Sequence, residues 1–326
     1  MNKILIGPAP LAGVEAGFLN VLKTAGFDYV YPLRKAQMTE SELLDQLGGI
    51  RATLAGSEPY TRHVLKTHPQ LRVIARVGVG YDAVDTAAAT EMGVAVCIAP
   101  GTNQDAVAEH TFTLILALAK HLVPQHLGTC ALEWPRQANL PLRARTLGIV
   151  GLGRIGKAVA LRGVCFGMKV IAHELFPDLA FARQHNIHLV PFDQVLAEAD
   201  YLSLHVPATM QSKHMINRQA LSKMKPSAFL INTARGMLVN EADLIQALQA
   251  GKLAGAALDV FEEEPPADSP LFHMSNVVVT PHAAGVDLQS RDDMALSAAQ
   301  AIVSLSKGEW PAEKIVNPEV KSRFRW

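Results

Sequence analysis

Residues 147–158, Leu147-Gly-Ile-Val-Gly151-Leu-Gly153-Arg154-Ile155-Gly156-Lys-Ala, decide how the chain folds around them. An apolar run meets glycines spaced G-x-G-x-x-G, and an amphipathic stretch follows: a strand, a tight turn and a helix. In that context Gly151 permits the turn, Gly153 lets the backbone approach a pyrophosphate, and Gly156 lets helix and strand pack closely. Arg154 and Ile155 lie in the same turn and count with the glycines as cofactor-binding. The helix start offers free N–H groups and its positive dipole end to phosphates. The next strand, Met168–His173, ends at Glu174, 18 residues beyond Gly156, where an acid would accept from a ribose 2′-hydroxyl. A carboxylate there repels a 2′-phosphate, and Leu175-Phe176-Pro177-Asp178 has no arginine to hold one. NAD is therefore expected rather than NADP.

Outward from this unit the alternation continues in both directions. Downstream, strands are expected at Ile187–Val190, Tyr201–His205, Ala228–Thr233, Ala254–Val260 and Val277–Thr280, with helices at Leu179–His185 and Glu241–Ala250. Upstream, Lys3–Gly7, Arg51–Ala55, Arg72–Val77 and Val94–Ile98 read as strands. Leu11–Ala25, Thr39–Leu47, Tyr60–Thr67 and Asp82–Met92 read as helices between them. Thr39 with Glu42 three residues later is a capping box. Such βα alternation implies parallel sheets covered on both faces by helices. The stretch Asp105–His121 is apolar nearly all round, so it must be buried, either between domains or against a second subunit. Glu133–Arg145, with Pro135 and Pro141 and no periodicity, reads as a connecting loop. The alanine-rich helix Leu288–Lys307 has no obvious place in the second series. Its return to the first domain would make that domain discontinuous.

The chain has 326 residues, enough for about two domains. Thirty basic residues balance thirty acidic ones, which argues against a nucleic-acid partner or a polybasic membrane surface. With 49% hydrophobic and 18% charged residues, the composition excludes disorder. Cys97, Cys130 and Cys165 form no CxxC pair and no His cluster stands at ligand spacing, so neither disulfide scaffold nor metal site is expected. Glu109, His110 and Lys120 interrupt the longest membrane-like run, Ala106–Val123, and Met1–Gly7 is too short for a signal-peptide core. A cytoplasmic protein with no membrane partner is the expectation.

Seven segments carry a resemblance. They are Arg76-Val-Gly-Val-Gly-Tyr-Asp82, Gly101-Thr-Asn-Gln-Asp-Ala-Val-Ala-Glu-His110, Gly151–Gly156, Leu204-His-Val-Pro207, Asn232-Thr-Ala-Arg-Gly236, Leu258-Asp-Val-Phe-Glu-Glu-Glu-Pro265 and Thr280-Pro-His-Ala-Ala-Gly285. In content and order the chain resembles the D-isomer-specific 2-hydroxyacid dehydrogenases, short form, without the regulatory domains of longer phosphoglycerate dehydrogenases. The resemblance implies an α/β fold of two doubly wound parallel-sheet domains. A Rossmann NAD-binding domain, 100–287, would be inserted into a discontinuous flavodoxin-like substrate domain, 1–99 with 288–326.

The resemblance also implies roles. Arg235 would bind the substrate carboxylate and C2 oxygen, a task suited to a planar, permanently charged fork. His282 would be the acid/base residue, since imidazole, with an unperturbed pKa of about 6.5, serves both reaction directions near neutrality. Glu264 would hydrogen-bond that histidine; local sequence alone does not separate it from Glu262 and Glu263, whereas the family's spacing selects it. Asp259 would lie near the nicotinamide carboxamide, with Pro207, Ser212 and Ala234 lining the cofactor. Ser212 stands where the family commonly has threonine. His205 would buttress the cofactor pocket. The amides of Val79 and Gly80 would hold the substrate carboxylate. Arg76 would either meet a substrate phosphate, as in phosphoglycerate dehydrogenases, or simply be solvated at its strand end.

The expected activity is reversible hydride transfer between NAD and a D-2-hydroxy acid/2-oxo acid pair, D-3-phosphoglycerate first, with hydroxypyruvate or glyoxylate as alternatives. An NAD-sensing protein like the related transcriptional co-repressors is the reading from another class. The apolar helix, similar to the family's dimer-forming segment, implies a homodimer.

Overall fold

Nearly continuous apolar runs become parallel strands buried on both faces, and the amphipathic runs between them become covering helices. The structure, a computed structural model, describes residues 3–33 and 37–326. Met1 and Asn2, the first residues of the segment tested above for a leader, lie outside the described residues. Two compact units emerge, Met1–Asn103 with Val286–Trp326, and Gln104–Gly285. The sequence put these boundaries at 99/100 and 287/288. Residues up to 103 stay with the first unit because Ala99 N donates to Gly78 O and Thr102 Oγ1 to Ala99 O.

In the first unit β1 (Lys3–Ile6), α1 (Gly17–Thr24), β2 (Asp28–Val30), α2 (Glu40–Gln46), β3 (Ile50–Ala55), α3 (Arg62–Thr67), β4 (Val73–Arg76), α4 (Thr86–Glu91) and β5 (Ala95–Cys97) follow one another. The strands pair in parallel in the order β2-β1-β3-β4-β5, the flavodoxin-like order. The capping box of α2 forms: Glu42 N donates to Thr39 Oγ1 at 3.3 Å, and Thr39 N to Glu42 Oε2 at 2.8 Å. α1 is shorter than the sequence suggested. Gly13, at φ +77°, turns the chain between a 3₁₀ turn at Ala9–Leu11 and the helix proper.

The second unit runs through α5 (Gln104–Ala119), α6 (Leu122–Cys130), β6 (Thr146–Val150), α7 (Arg154–Cys165), β7 (Lys169–His173), α8 (Leu179–Gln184), β8 (His188–Leu189), α9 (Phe192–Glu198), β9 (Tyr201–Leu204), α10 (Arg218–Lys223), β10 (Phe229–Asn232), α11 (Glu241–Gln249), β11 (Gly255–Leu258) and β12 (Val277–Val279). The sheet order is β12-β11-β10-β9-β6-β7-β8, parallel throughout. This is the Rossmann order with one strand added, and its direction reverses between β6 and β9. α5 packs on α7, β10, β11 and β12, so the apolar helix is buried inside its own unit rather than by a second subunit. Its hydrophobicity demanded a cover without specifying which one. α6 was not anticipated; Pro124 lies in its first turn, where a missing N–H loses no intrahelical bond. Among the described residues no single helix is long and apolar enough to cross a membrane; α5 and α6 pass that test only together, bent by 60°.

The chain then returns to the first unit as α12 (Leu288–Ser306), capped by Asp287 Oδ1 accepting from Ser290 N at 2.6 Å. Ala295, Ala298 and Ala299 let this helix lie close against α1, β3 and β4, in one core with Phe18 and Leu22. Further on, Asn317 is inserted beside β5: its Oδ1 accepts from Val96 N at 2.9 Å, and its Nδ2 donates to Val94 O and Thr90 Oγ1, each at 3.0 Å.

Candidate active site

Strand register builds a row of residues along the carboxyl edge of the second sheet. His173 pairs with Val150, Val150 with Leu204, Leu204 with Asn232, Asn232 with Leu258, and Leu258 with Val279. The residues that follow, Glu174, Gly151, His205, Thr233, Asp259 and Thr280, therefore stand abreast where open α/β sheets bind ligands.

At the β6 end the glycine turn has the shape a pyrophosphate requires. Gly151 has φ +95°, and a Cβ there would lie 2.6 Å from His205 O. A Cβ at Gly156 would run into the Gly151 carbonyl, whereas one at Gly153 meets nothing within 4 Å. Helix α7 starts after Gly153, so the N–H groups of Arg154, Ile155 and Gly156 have no intrahelical acceptors. Glu174 Oε2 accepts from Leu152 N at 2.7 Å and Oε1 from Phe176 N at 3.0 Å, fixing a carboxylate beside the turn. These features fit a dinucleotide. Pro207 and Ser212 belong to one turn after β9, where Ser212 Oγ accepts from Thr209 N and donates to Pro207 O, each at 2.8 Å. Burial pulls the His205 imidazole down to about 3, so the ring is neutral, with Nε2 2.9 Å from Ser203 Oγ. That suits a buttress and not proton chemistry.

Arg235 follows β10 in a turn organised by Asn232, a buried residue that sequence reading did not single out. Asn232 Oδ1 accepts from Ala234 N at 3.1 Å and its Nδ2 donates to Arg235 O at 2.8 Å. Arg235 Nη1 donates to Ala234 O at 2.5 Å. A Cβ on Gly236 would collide with Phe261 O, so the absence of one brings this turn against the loop after β11.

That loop carries three consecutive glutamates, and the fold separates them. Glu262 Oε1 meets His214 Nε2 at 3.0 Å and accepts from Glu241 N at 3.1 Å. Glu264 Oε1 accepts from Phe261 N at 3.0 Å, and Oε2 lies 2.6 Å from His282 Nδ1. Burial pushes the Glu264 carboxyl up, but the His282 hydrogen bond and charge, the Phe261 amide and the Arg235 charge outweigh it and hold the carboxyl below its ordinary value. His282 Nε2 has no hydrogen-bond partner among the described residues.

His282 adopts φ +52°, the left-handed region. That conformation costs a non-glycine residue about 1–3 kcal/mol. It is held by Asp259, a fully buried residue. Asp259 O accepts from His282 N at 2.8 Å, its Oδ1 from Ala283 N at 2.9 Å and Thr280 Oγ1 at 2.6 Å, and its Oδ2 from Ala284 N at 2.9 Å. Hydrogen bonds to a carboxylate are worth about 1.5–3 kcal/mol each, so the set exceeds the strain. Both carboxylate oxygens of Asp259 thus serve the His282 turn, a task the sequence did not disclose.

In the first unit Arg76 ends β4 and is buried, 8% exposed, with Nε donating to Gly80 O at 2.8 Å. The N–H groups of Val79 and Gly80 meet no acceptor among the described residues. Behind this loop Glu58 is 1% exposed; burial raises its carboxyl, partly opposed by its own and the Gly56 amides and by the Arg76 charge. Among the described residues no group of three or more His, Cys, Asp or Glu side chains stands ready to hold a metal ion.

Comparisons with known proteins agree with this geometry. The family model described as D-isomer specific 2-hydroxyacid dehydrogenase, NAD binding domain, matches residues 112–284. A glyoxylate reductase of Korarchaeum cryptofilum is 39% identical over 271 residues, 81% of each chain. A D-3-phosphoglycerate dehydrogenase of Mycobacterium leprae is 40% identical over 265 residues, which span 79% of this chain and 50% of that one. The crystal structure of D-lactate dehydrogenase from Aquifex aeolicus, complexed with NAD and lactic acid, superposes with a TM-score of 0.85 at 28% identity, covering 96% of this chain and 99% of the other. With its NAD-binding sheet and these relatives, the chain belongs to the D-isomer specific 2-hydroxyacid dehydrogenase family of oxidoreductases.

Proposed function

We propose that this oxidoreductase interconverts small, unphosphorylated 2-oxo acids of the glyoxylate or hydroxypyruvate type with their D-2-hydroxy acids. The observation that carries the choice is Arg76: buried, with Nε committed to Gly80 O, it braces its own loop. The glyoxylate reductase relative, matched over 81% of both chains, supports the same reading. D-3-phosphoglycerate is the second reading, favoured by the relative of that name at 40% identity.

Bound NAD would supply the hydride acceptor for C2, and NADH the hydride donor in the reverse direction. The Arg235 fork holds the carboxylate and polarises the C2 oxygen. In the first unit Val79 and Gly80 present amide donors of the kind that bind a carboxylate. His282 Nε2 delivers a proton to the C2 oxygen in reduction and removes it in oxidation, while Glu264 keeps the ring's other proton on Nδ1. Gly151, Gly153, Arg154, Ile155, Gly156 and Glu174 hold the dinucleotide, with Pro207, Ser212, Ala234 and Asp259 around it; the Glu174 carboxylate selects against a 2′-phosphate. The protein acts in the cytoplasm as a homodimer joined through α6 and the loop after it, where Leu122, Leu127, Leu132 and Trp134 are exposed.

The deciding assay is NADH oxidation with glyoxylate, hydroxypyruvate and phosphohydroxypyruvate, comparing kcat/KM. An unphosphorylated acid is expected to lead. A lead for phosphohydroxypyruvate of about tenfold or more, which corresponds to 1.4 kcal/mol of transition-state binding, transfers the assignment to the second reading.

A further inference from the structure

The turn that carries His282 is tied to helix α5 through a short chain of hydrogen bonds. Thr280 Oγ1 donates to Asp259 Oδ1 at 2.6 Å, which commits the only hydroxyl proton. The same Oγ1 lies 3.0 Å from His110 Nε2. A hydroxyl whose proton is already given away can only accept, so Nε2 must bear the proton in that contact. His110 Nε2 also stands 3.6 Å from Asp259 Oδ1, and its side chain is 23% exposed.

We propose that His110 is a positioning residue for the oxidoreductase reaction: as an Nε2–H donor it fixes the Thr280–Asp259 hydrogen bond and so the left-handed turn that aims His282. The inference rests on the acid–base role given to His282 above. Without the donor, Thr280 Oγ1 is free to turn, and Asp259 keeps the turn by the His282, Ala283 and Ala284 amides alone. His282 then samples orientations in which Nε2 misses the C2 oxygen, and proton transfer slows. Arg235 is held separately, by Asn232, so substrate affinity is spared. The expected signature is a loss in kcat at constant KM.

The test compares two amides in the full-length protein. His110→Gln sets its N–H close to the Nε2 position, whereas His110→Asn sets its N–H near that of Nδ1. With NADH and the best 2-oxo acid, H110N is expected to lower kcat about tenfold with KM for the acid within about twofold, and H110Q to stay within about threefold of wild type. Thr280→Val should match H110N, and the double variant H110N/T280V should lose no more than about twofold beyond either single, because both break one chain of contacts. A histidine that merely supported the fold would lower Tm and leave H110N and H110Q with the same kcat. Equal kcat values for those two variants, or losses that multiply in the double, overturn the proposal even if wild type is fully active. No turnover by wild type with any 2-oxo acid overturns it together with the acid–base role of His282.

Discussion

The loop after β3 in the first unit carries Glu58 and the loop after β11 in the second carries Glu264; both loops follow parallel strands, and burial acts on both carboxyls. Glu58 and Glu264 are nevertheless driven in opposite directions. Burial dominates at Glu58, whose Oε2 has no hydrogen-bond partner among the described residues, and its carboxyl is raised. Burial also acts on Glu264, but His282, the Phe261 amide and Arg235 together reverse it. Depth and the donors aimed at a carboxyl together set its charge. The second unit aims them from the loops after β10, β11 and β12. In the first unit Arg76 reaches the Gly80 carbonyl by a hydrogen bond and Glu58 by charge alone.

The largest effect expected from breaking this contrast lies at the second unit's proton carrier. His282→Ala should lower kcat by about a thousandfold, read by steady-state NADH oxidation; a loss under about tenfold would remove the histidine from the chemistry. Glu264→Gln comes next, with kcat down about ten- to a hundredfold. It also has a stability signature. Because its carboxyl is lower in the folded chain than the ordinary 4.5, Glu264 adds stability above that pH and loses it as pH falls through the folded value. Wild type should therefore melt above E264Q at pH 7, with the gap closing in acid.

Arg76→Met sharpens the comparison from the other side. If Arg76 braces the loop, kcat/KM should fall by the same factor, about fivefold, for glyoxylate and for phosphohydroxypyruvate. A drop confined to the phosphorylated acid would make it a phosphate ligand. The smallest effect belongs to Glu58→Gln, and its sign is opposite to that of E264Q. A raised carboxyl stabilises the fold below its unfolded value and loses that contribution as pH rises through the folded one. Thermal melts should accordingly show E58Q gaining on wild type from pH 5 to pH 8. Parallel pH slopes for E58Q and E264Q would erase the contrast.

Legibility in the sequence followed the range of the interactions. The glycine turn could be read because each glycine has a local steric reason, and the α2 capping box because its partners lie three residues apart. Strand boundaries fell close to the apolar runs, whereas β2, three residues long and half-exposed, left no such run. The acidic run 262–264 could not be divided locally, since only the fold sends Glu262 to His214 and Glu264 to His282. Arg235, Glu264 and His282 were legible through the family's pattern; what brings them together is that β10, β11 and β12 are neighbours. His110 escaped notice because its partner Thr280 is 170 residues away. Asn232 looked like part of the Arg235 motif and gave no sign of its own that it shapes the turn.

The bonds of Asn317 to Val94, Val96 and Thr90 join residues more than 220 positions apart, and this bears on the order of events during synthesis. Strands β1 to β5 leave the ribosome well before α12 and the clasp at Asn317, which complete their unit. The intervening unit, Gln104–Gly285, is contiguous and complete before then. The middle of the chain can thus mature first, while Phe18, Leu22 and their neighbours wait exposed for Ala295, Ala298 and Ile302. During that interval a nascent chain is most in need of a chaperone.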